Sequence, residues 1–280
     1  LDDTSNRQTP AQDEGLGAEL IRSGREVTVF VACSTRCFTQ WPLEAATRRI
    51  ADLEFGKFEL ALDQNGSHLR PCDVASDLET AVARIRTGPG LICSAIEADF
   101  GRVDLKTERK RFEAVGRMAK ALTVAVLTIP SSPSTTSLDE EIGRLGELTS
   151  WANREGLVVT VLTGRGTLAG NPKTAALLCR EVPGLGLTLD PSVYLVEGYS
   201  NFDEVYPYVQ NVHLRDTGRK PEEFQVRIGQ GRIEYGRILT QLERHGYQRG
   251  LTICIRDDWN PAFDVLVEVR KLKLLLESLL

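Results

Sequence analysis

At 280 residues with 41% hydrophobic content, the chain can bury a full core, either as two modest domains or as one large α/β barrel. Its 34 basic and 39 acidic residues leave a net charge of −5, which gives no electrostatic reason to expect a nucleic-acid partner, and no apolar run approaches the roughly 18 residues needed to span a bilayer. Six cysteines, at positions 33, 37, 72, 93, 179 and 254, lack the paired short spacings of a zinc ribbon and the density of a disulfide scaffold, and so read as small buried hydrophobes in a reducing, cytoplasmic setting.

The opening Leu1 to Gln12 is polar, lacks the basic start and apolar centre of a secretory signal, and reads as a mobile tail. With a short helix over Gly17 to Ser23 it forms a leading segment over residues 1–25. The first strand is expected in the β-branched run Val27 to Ala32, and a helix follows from Pro42, with Leu43, Ala46, Ile50 and Leu53 at helical spacing. Phe58 to Leu62 is the second strand, and Asp73 to Thr87 reads as one helix with Val74, Leu78, Val82 and Ile85 on a single face. Then come Gly90 to Ala95, the helix Leu105 to Ala121, and the strand Thr123 to Ile129. The helix Leu138 to Glu155 and the strand Leu157 to Leu162 follow a Ser/Pro-rich loop. A helix over Lys173 to Glu181, a strand over Leu185 to Asp190, a short helix over Asn201 to Tyr208 and a strand over Asn211 to Arg215 continue the pattern. Ile233 to His245, Leu251 to Ile255 and Phe263 to Leu280 complete it.

These are eight strand–helix units with no break in composition, which predicts one closed (β/α)8 barrel over residues 26–280 rather than an open sheet. The loops Ser131 to Ser137 and Thr217 to Arg232 fall after strands, where they would surround the C-terminal mouth. Side chains at strand ends are therefore the candidates for chemistry.

Glu59 interrupts an apolar strand, and a buried carboxylate needs a partner, either an arginine inside the barrel or a substrate. Asp190 ends a strand just before Pro191, where it either caps the following turn or lines the mouth. His213 is one of three histidines and sits in an otherwise apolar strand, with Asp190 as its expected partner on the adjacent strand end. Arg215 and Arg227 offer planar guanidinium forks for a carboxylate or phosphate, or pair with surface acids, and His68 follows the second strand within reach of the mouth. Thr163-Gly164-Arg165-Gly166-Thr167 lacks the Lys-Ser/Thr ending of a P-loop and reads as a flexible loop. Cys33 and Cys37 read as neighbouring thiols, and His245 as a solvent-facing residue at a helix end.

The order of strands, with Phe58-Glu59-Leu60, Leu189-Asp190-Pro191-Ser192, His213-Leu214-Arg215-Asp216 and Arg227-Ile228-Gly229-Gln230-Gly231 at their ends, resembles the xylose isomerase-like superfamily over roughly residues 27 to 280. That superfamily includes sugar phosphate isomerases and epimerases and the endonuclease IV type of repair enzyme. The resemblance implies a divalent cation, Mn, Mg, Co or Zn, between carboxylates on strands five and eight, an Asp on strand six and a His on strand seven. Asp190 and His213 match as metal ligands, but Leu162 and Cys254 stand near the two expected acids, and Val193 replaces a further His. A hard cation that prefers oxygen donors thereby loses ligands, so the metal is either weakly held or absent. The resemblance also places Arg227 at the pocket.

The resulting expectation is a sugar or sugar phosphate isomerase or epimerase-like protein binding a small polar, carbohydrate-derived ligand. Glu59 and His213 would be catalytic, and Arg215, Arg227 and His68 would bind substrate. The rival is a non-catalytic ligand-binding or scaffold barrel that has lost its metal ligands. An abasic-site endonuclease is a third reading, for which three histidines are too few. Neither nucleic acid nor membrane is expected as a partner, and a homo-oligomer is left open.

Overall fold

The computed structural model describes residues 29–280. The short helix expected over Gly17 to Ser23 and the tail before it lie outside the described residues.

Eight parallel strands close on themselves in sequence order: β1 (Phe30–Ser34), β2 (Lys57–Asp63), β3 (Ile92–Asp99), β4 (Val126–Pro130), β5 (Val158–Leu162), β6 (Gly186–Leu189), β7 (Val209–Leu214) and β8 (Gly250–Ile253). β8 pairs with β1, Phe30 through Cys33 lying against Gly250 through Ile253. This is the (β/α)8 barrel expected from the alternation. Each strand is covered on both faces, which is why Leu60, Leu127, Val159, Leu187, Val212 and Leu251 are all buried.

The helices are α1 (Leu43–Asp52), α2 (Pro71–Ser76), α3 (Leu78–Arg86), α4 (Leu105–Ala121), α5 (Leu138–Arg154), α6 (Pro172–Glu181), α7 (Pro191–Val196), α8 (Tyr235–Arg244) and α9 (Val265–Glu277). The single helix expected over Asp73 to Thr87 is two, because Asp77 leaves helical geometry (φ −146°, ψ 89°) and its side chain caps α3 by accepting from Thr80 N–H. The expected helix Asn201 to Tyr208 is a 3-10 turn over Asp203–Tyr208 that contains Pro207. α4 and α5 approach closely at Gly116, where a Cβ would stand 2.5 Å from the Trp151 ring. Among the described residues no helix is long and apolar enough to cross a membrane.

Because all eight strands run the same way, their C-terminal ends meet at one mouth. Alternation then turns Glu59 and Asp63 of β2, Glu97 of β3, Thr188 and Asp190 at β6, and Asn211, His213 and Arg215 at β7 toward the barrel axis.

Candidate active site at the C-terminal mouth

The barrel interior is unusually polar. The Thr128, Thr160 and Thr188 hydroxyls form a closed triangle with edges of 2.7 to 2.9 Å. Asn211 bridges from this triangle to Glu59, donating to Glu59 Oε2 at 2.7 Å and to Thr128 Oγ1 at 3.4 Å. Glu59 is fully buried, so these donors fix the carboxylate in one orientation.

The other Glu59 oxygen faces His213. Oε1 lies 2.7 Å from Nε2, yet the contact runs off the ring N–H direction, leaving both buried atoms without an aligned hydrogen bond among the described residues. Burial opposes the charge on His213, but the Glu59 carboxylate and the neighbouring Cys254 outweigh it and hold the imidazole pKa well above its ordinary value. Glu59 is thus partnered by a histidine and an asparagine rather than by an arginine.

The third member is Glu97, which extends the expected third strand by several residues. Glu59, Glu97 and His213 each present a donor atom, and the three atoms lie within 4.8 Å of one another. Arg36, in the turn after β1, grips Glu97 with its Nε 2.8 and 2.9 Å from the two carboxylate oxygens, and reaches Asp63 Oδ2 at 3.3 Å. Burial alone would raise the Glu97 pKa, but the Arg36 guanidinium and then His213 bring it down to about 2.

Arg36 also forms the floor of a cleft of about 230 Å³ that Asp63, Ser67, His68 and Asp258 help to line. Ala61, registered with Glu97 on the neighbouring strand, lines the same cleft, and Arg36 is the residue that both lines it and contacts Glu97. A roomier hollow of about 570 Å³ beside Leu239, Leu242 and Tyr247 lies at the opposite end of the strands, away from this cluster.

The remaining sequence candidates fall in several places. Asp190 is buried and caps α7 through Ser192 N–H at 3.1 Å, while its second oxygen pairs with Arg215 Nη2. The carboxylates that approach His213 are therefore Glu59 and Glu97, and Asp190 is turned to Arg215. Arg215 is buried beside the mutually packed Phe224 and Trp259 rings, 5.0 Å from each centroid, with Nε and Nη1 lacking a partner among the described residues. His68 is half-buried, and its Nε2 sits 3.1 and 2.9 Å from the Phe38 and Trp41 carbonyls. Burial lowers its pKa, so at neutral pH it joins the β2–α2 loop to the turn after β1 as a neutral ring.

Arg227 is exposed on the loop before α8 and lines none of the cleft. The glycines beside it serve Asp216 instead, whose carboxylate accepts from the backbone N–H groups of Thr217, Gly229, Gly231 and Ile233 at 2.9 to 3.3 Å. A Cβ at Gly231 would fall 2.0 Å from Asp216 Oδ1, so only glycine lets the loop close on that side chain. Leu162 ends β5, and Cys254 follows β8 as a buried thiol. Sequence reasoning missed Glu97, Arg36, Asp63 and Asp216. The signal for the first was the Ile96-Glu97-Ala98-Asp99 alternation beyond the expected strand end.

A closed parallel barrel with acids, an imidazole and an arginine gathered at its C-terminal mouth defines the class of molecule. The xylose isomerase-like TIM barrel sequence profile matches residues 47–275, and the chain belongs to that family. Solved structures share the fold at low identity. One is a D-tagatose 3-epimerase-like protein (19% identity, covering 89% of this chain and 97% of that one, TM-score 0.66). Another is the probable 3-DHS dehydratase AsbF of Bacillus anthracis (13%, 88% and 98%, 0.69). A third is a xylose isomerase-like TIM barrel protein from Mycobacterium smegmatis in complex with magnesium (16%, 87% and 95%, 0.68). No curated protein matches the chain.

Proposed function

We propose that this protein is an isomerase or epimerase of small, polar, carbohydrate-derived molecules, working in the cleft above Arg36 with a divalent cation held by Glu59, Glu97 and His213. The observation that carries this reading is the convergence of those three donors within 4.8 Å beneath the cleft. Two carboxylates and an imidazole suit a divalent cation, and the buried Glu59 Oε1 and His213 Nε2 have no aligned partner among the described residues. Bound there, the cation would polarise a carbonyl or ene-diolate oxygen of the ligand.

The chain's own residues supply the rest. Glu59 and His213 would act by holding the cation, and Asn211 with the threonine triangle fixes the orientation of the Glu59 carboxylate for that role. Arg36, anchored by Glu97 and Asp63, presents fixed positive charge at the floor to the ligand's oxygens. Asp63 lines the cleft with part of its carboxylate exposed, and is placed to take a proton from the carbon next to a carbonyl and return it. Arg215, with two nitrogens free of partners among the described residues, holds an anionic or hydroxylated end of the substrate.

The test is proton NMR of ketoses, aldoses and their phosphates incubated with the protein in D₂O with Mn²⁺, Mg²⁺ or Zn²⁺. Loss of the C–H signal next to the carbonyl, abolished by Asp63→Asn, is the expected result. No exchange with any of these substrates contradicts the enzymatic reading.

A second reading, a non-catalytic ligand-binding barrel, is favoured by Arg36 Nε reaching both Glu97 oxygens and by Leu162 and Cys254 standing near the acids the resemblance implies. Calorimetric binding of a sugar without proton exchange selects it.

A further inference from the structure

Two largely enclosed arginines of this protein each hold two carboxylates: Arg36 takes Glu97 and Asp63, and Arg144 takes Glu108 and Glu141. Arg215 is as buried as Arg36, at 5% exposed, yet it holds one. Its Nη2 pairs with Asp190, whose other oxygen is committed to Ser192, and its Nε and Nη1 meet no acceptor among the described residues. Guanidinium N–H groups taken out of water without an acceptor are costly, so this side chain is set to receive a second one. Alternation puts Arg215 two residues beyond His213 on the inward face of β7, about 7 Å further toward the mouth along the strand, a span that a short carbon chain covers. Phe224, in the loop after β7, and Trp259, in the turn after β8, pack together beside the guanidinium with ring centroids 5.1 Å apart. The Gln225 side chain ties those two segments, donating to the Arg256 carbonyl at 2.9 Å and accepting from the Arg256 N–H at 2.7 Å. Trp259 is 41% exposed, and Asp258 just before it lines the cleft above Arg36, so the ring pair borders the space assigned to the substrate.

Resting on the reading of the cleft above, we propose that Arg215 anchors a carboxylate of the substrate, which makes the substrate a sugar acid or related hydroxy acid, and that Phe224 and Trp259, latched by Gln225, close over the bound group. The charges around the rings favour a carboxylate over a phosphate. Arg215 is matched by Asp190, and the two other arginines against these rings are matched as well, Arg256 by Asp258 and Arg165 by Glu197. A single added negative charge repeats what Arg36 and Arg144 carry with their second acids. A phosphate group brings about −1.5 to −2 to a guanidinium whose one charge is already matched, which burial penalises. Under an apolar cover that excludes water, the charge-assisted bonds from Arg215 to a carboxylate are strengthened.

The experiment is calorimetric titration of the full chain in the presence of Mn²⁺, with D-glucuronate and D-gluconate as carboxylate probes, D-glucose as the neutral one and D-glucose 6-phosphate as the phosphorylated one. At least one carboxylate should bind roughly tenfold more tightly than glucose and glucose 6-phosphate. Arg215→Lys keeps a cation for Asp190 and so guards against a folding defect, but it removes the unpartnered guanidinium nitrogens. This variant should lose roughly tenfold or more of the carboxylate affinity and leave glucose affinity within about twofold. Gln225→Ala leaves Arg215 and Asp190 untouched and should speed release of the bound carboxylate in stopped-flow tryptophan fluorescence. A release rate equal to that of the parent overturns the cover. Equal affinity across the four probes, preference for the phosphate, no binding by either carboxylate, or carboxylate binding unchanged in Arg215→Lys overturns the anchor. Such a result leaves the proton-transfer reading standing if neutral sugars exchange their C–H in D₂O. Carboxylate binding that is lost in Arg215→Lys, with no exchange of any substrate, keeps the anchor and removes the enzymatic reading.

Discussion

Replacing Arg36 with methionine removes the cation that compensates Glu97 while keeping an unbranched side chain of similar length. Glu97 is held at about 2 against 4.5 for an unperturbed glutamate. At about 1.36 kcal/mol per tenfold change in proton equilibrium, that difference corresponds to about 3 kcal/mol, within the range found when one partner of a buried pair is deleted. Because the folded value is depressed, this stabilisation is complete above about pH 4.5 and fades as the pH falls toward 2. Urea unfolding of chelator-treated protein should therefore show Arg36→Met weaker than wild type by about 3 kcal/mol at pH 7, a fall in Tm of roughly 6–12 °C. The gap should narrow steadily below pH 4.5. Adding Glu97→Gln to Arg36→Met should recover most of the loss, since the uncompensated charge disappears with it. A deficit that does not change with pH, or a double variant as unstable as the two single losses added together, refutes the pairing as the cause.

Asp216→Ala leaves four backbone N–H groups without their acceptor and should destabilise the protein by about 2–4 kcal/mol, with hydrogen exchange accelerated over residues 217–233 first. Arg227→Ala and Arg227→Lys should shift stability by less than about 0.5 kcal/mol and leave ligand affinity unchanged in calorimetry, because the side chain is exposed and outside the cleft. Asp190→Ala removes both the cap of α7 and the partner of Arg215 and should lower stability by about 3–5 kcal/mol in the same urea assay, mostly from the charge left buried on Arg215.

The barrel was legible because each unit carries its own periodicity: Phe58 to Leu62 and Leu157 to Leu162 are apolar runs of strand length, and the helices between them show one apolar face. Glu59 and His213 were legible for the complementary reason, each being a polar side chain inside such a run. Glu97 was hidden by a boundary, since Gly90 to Ala95 looked complete although the strand runs from Ile92 to Asp99. Arg36 lies in a short polar turn whose cysteines drew attention, and nothing local in the sequence ties it to a carboxylate 61 residues away. Arg227 shows the converse: its place before Gly229 and Gly231 suggested a ligand, but those glycines let the backbone wrap Asp216 and leave the arginine outside. The break at Asp77 was readable as an N-cap three residues before Thr80, but the apolar stripe from Val74 to Ile85 runs through it without interruption.

The central claim is a cation centre on β2, β3 and β7 rather than on β5, β6, β7 and β8. Calorimetric titration of chelator-treated protein with Zn²⁺ and Mn²⁺, in wild type and in Glu59→Gln, Glu97→Gln, His213→Gln and Asp190→Asn, tests it directly. One ion per chain is predicted for wild type, bound at least roughly tenfold more weakly in each of the first three variants and unaltered in Asp190→Asn. Binding that survives Glu59→Gln and Glu97→Gln but is lost in Asp190→Asn would contradict it.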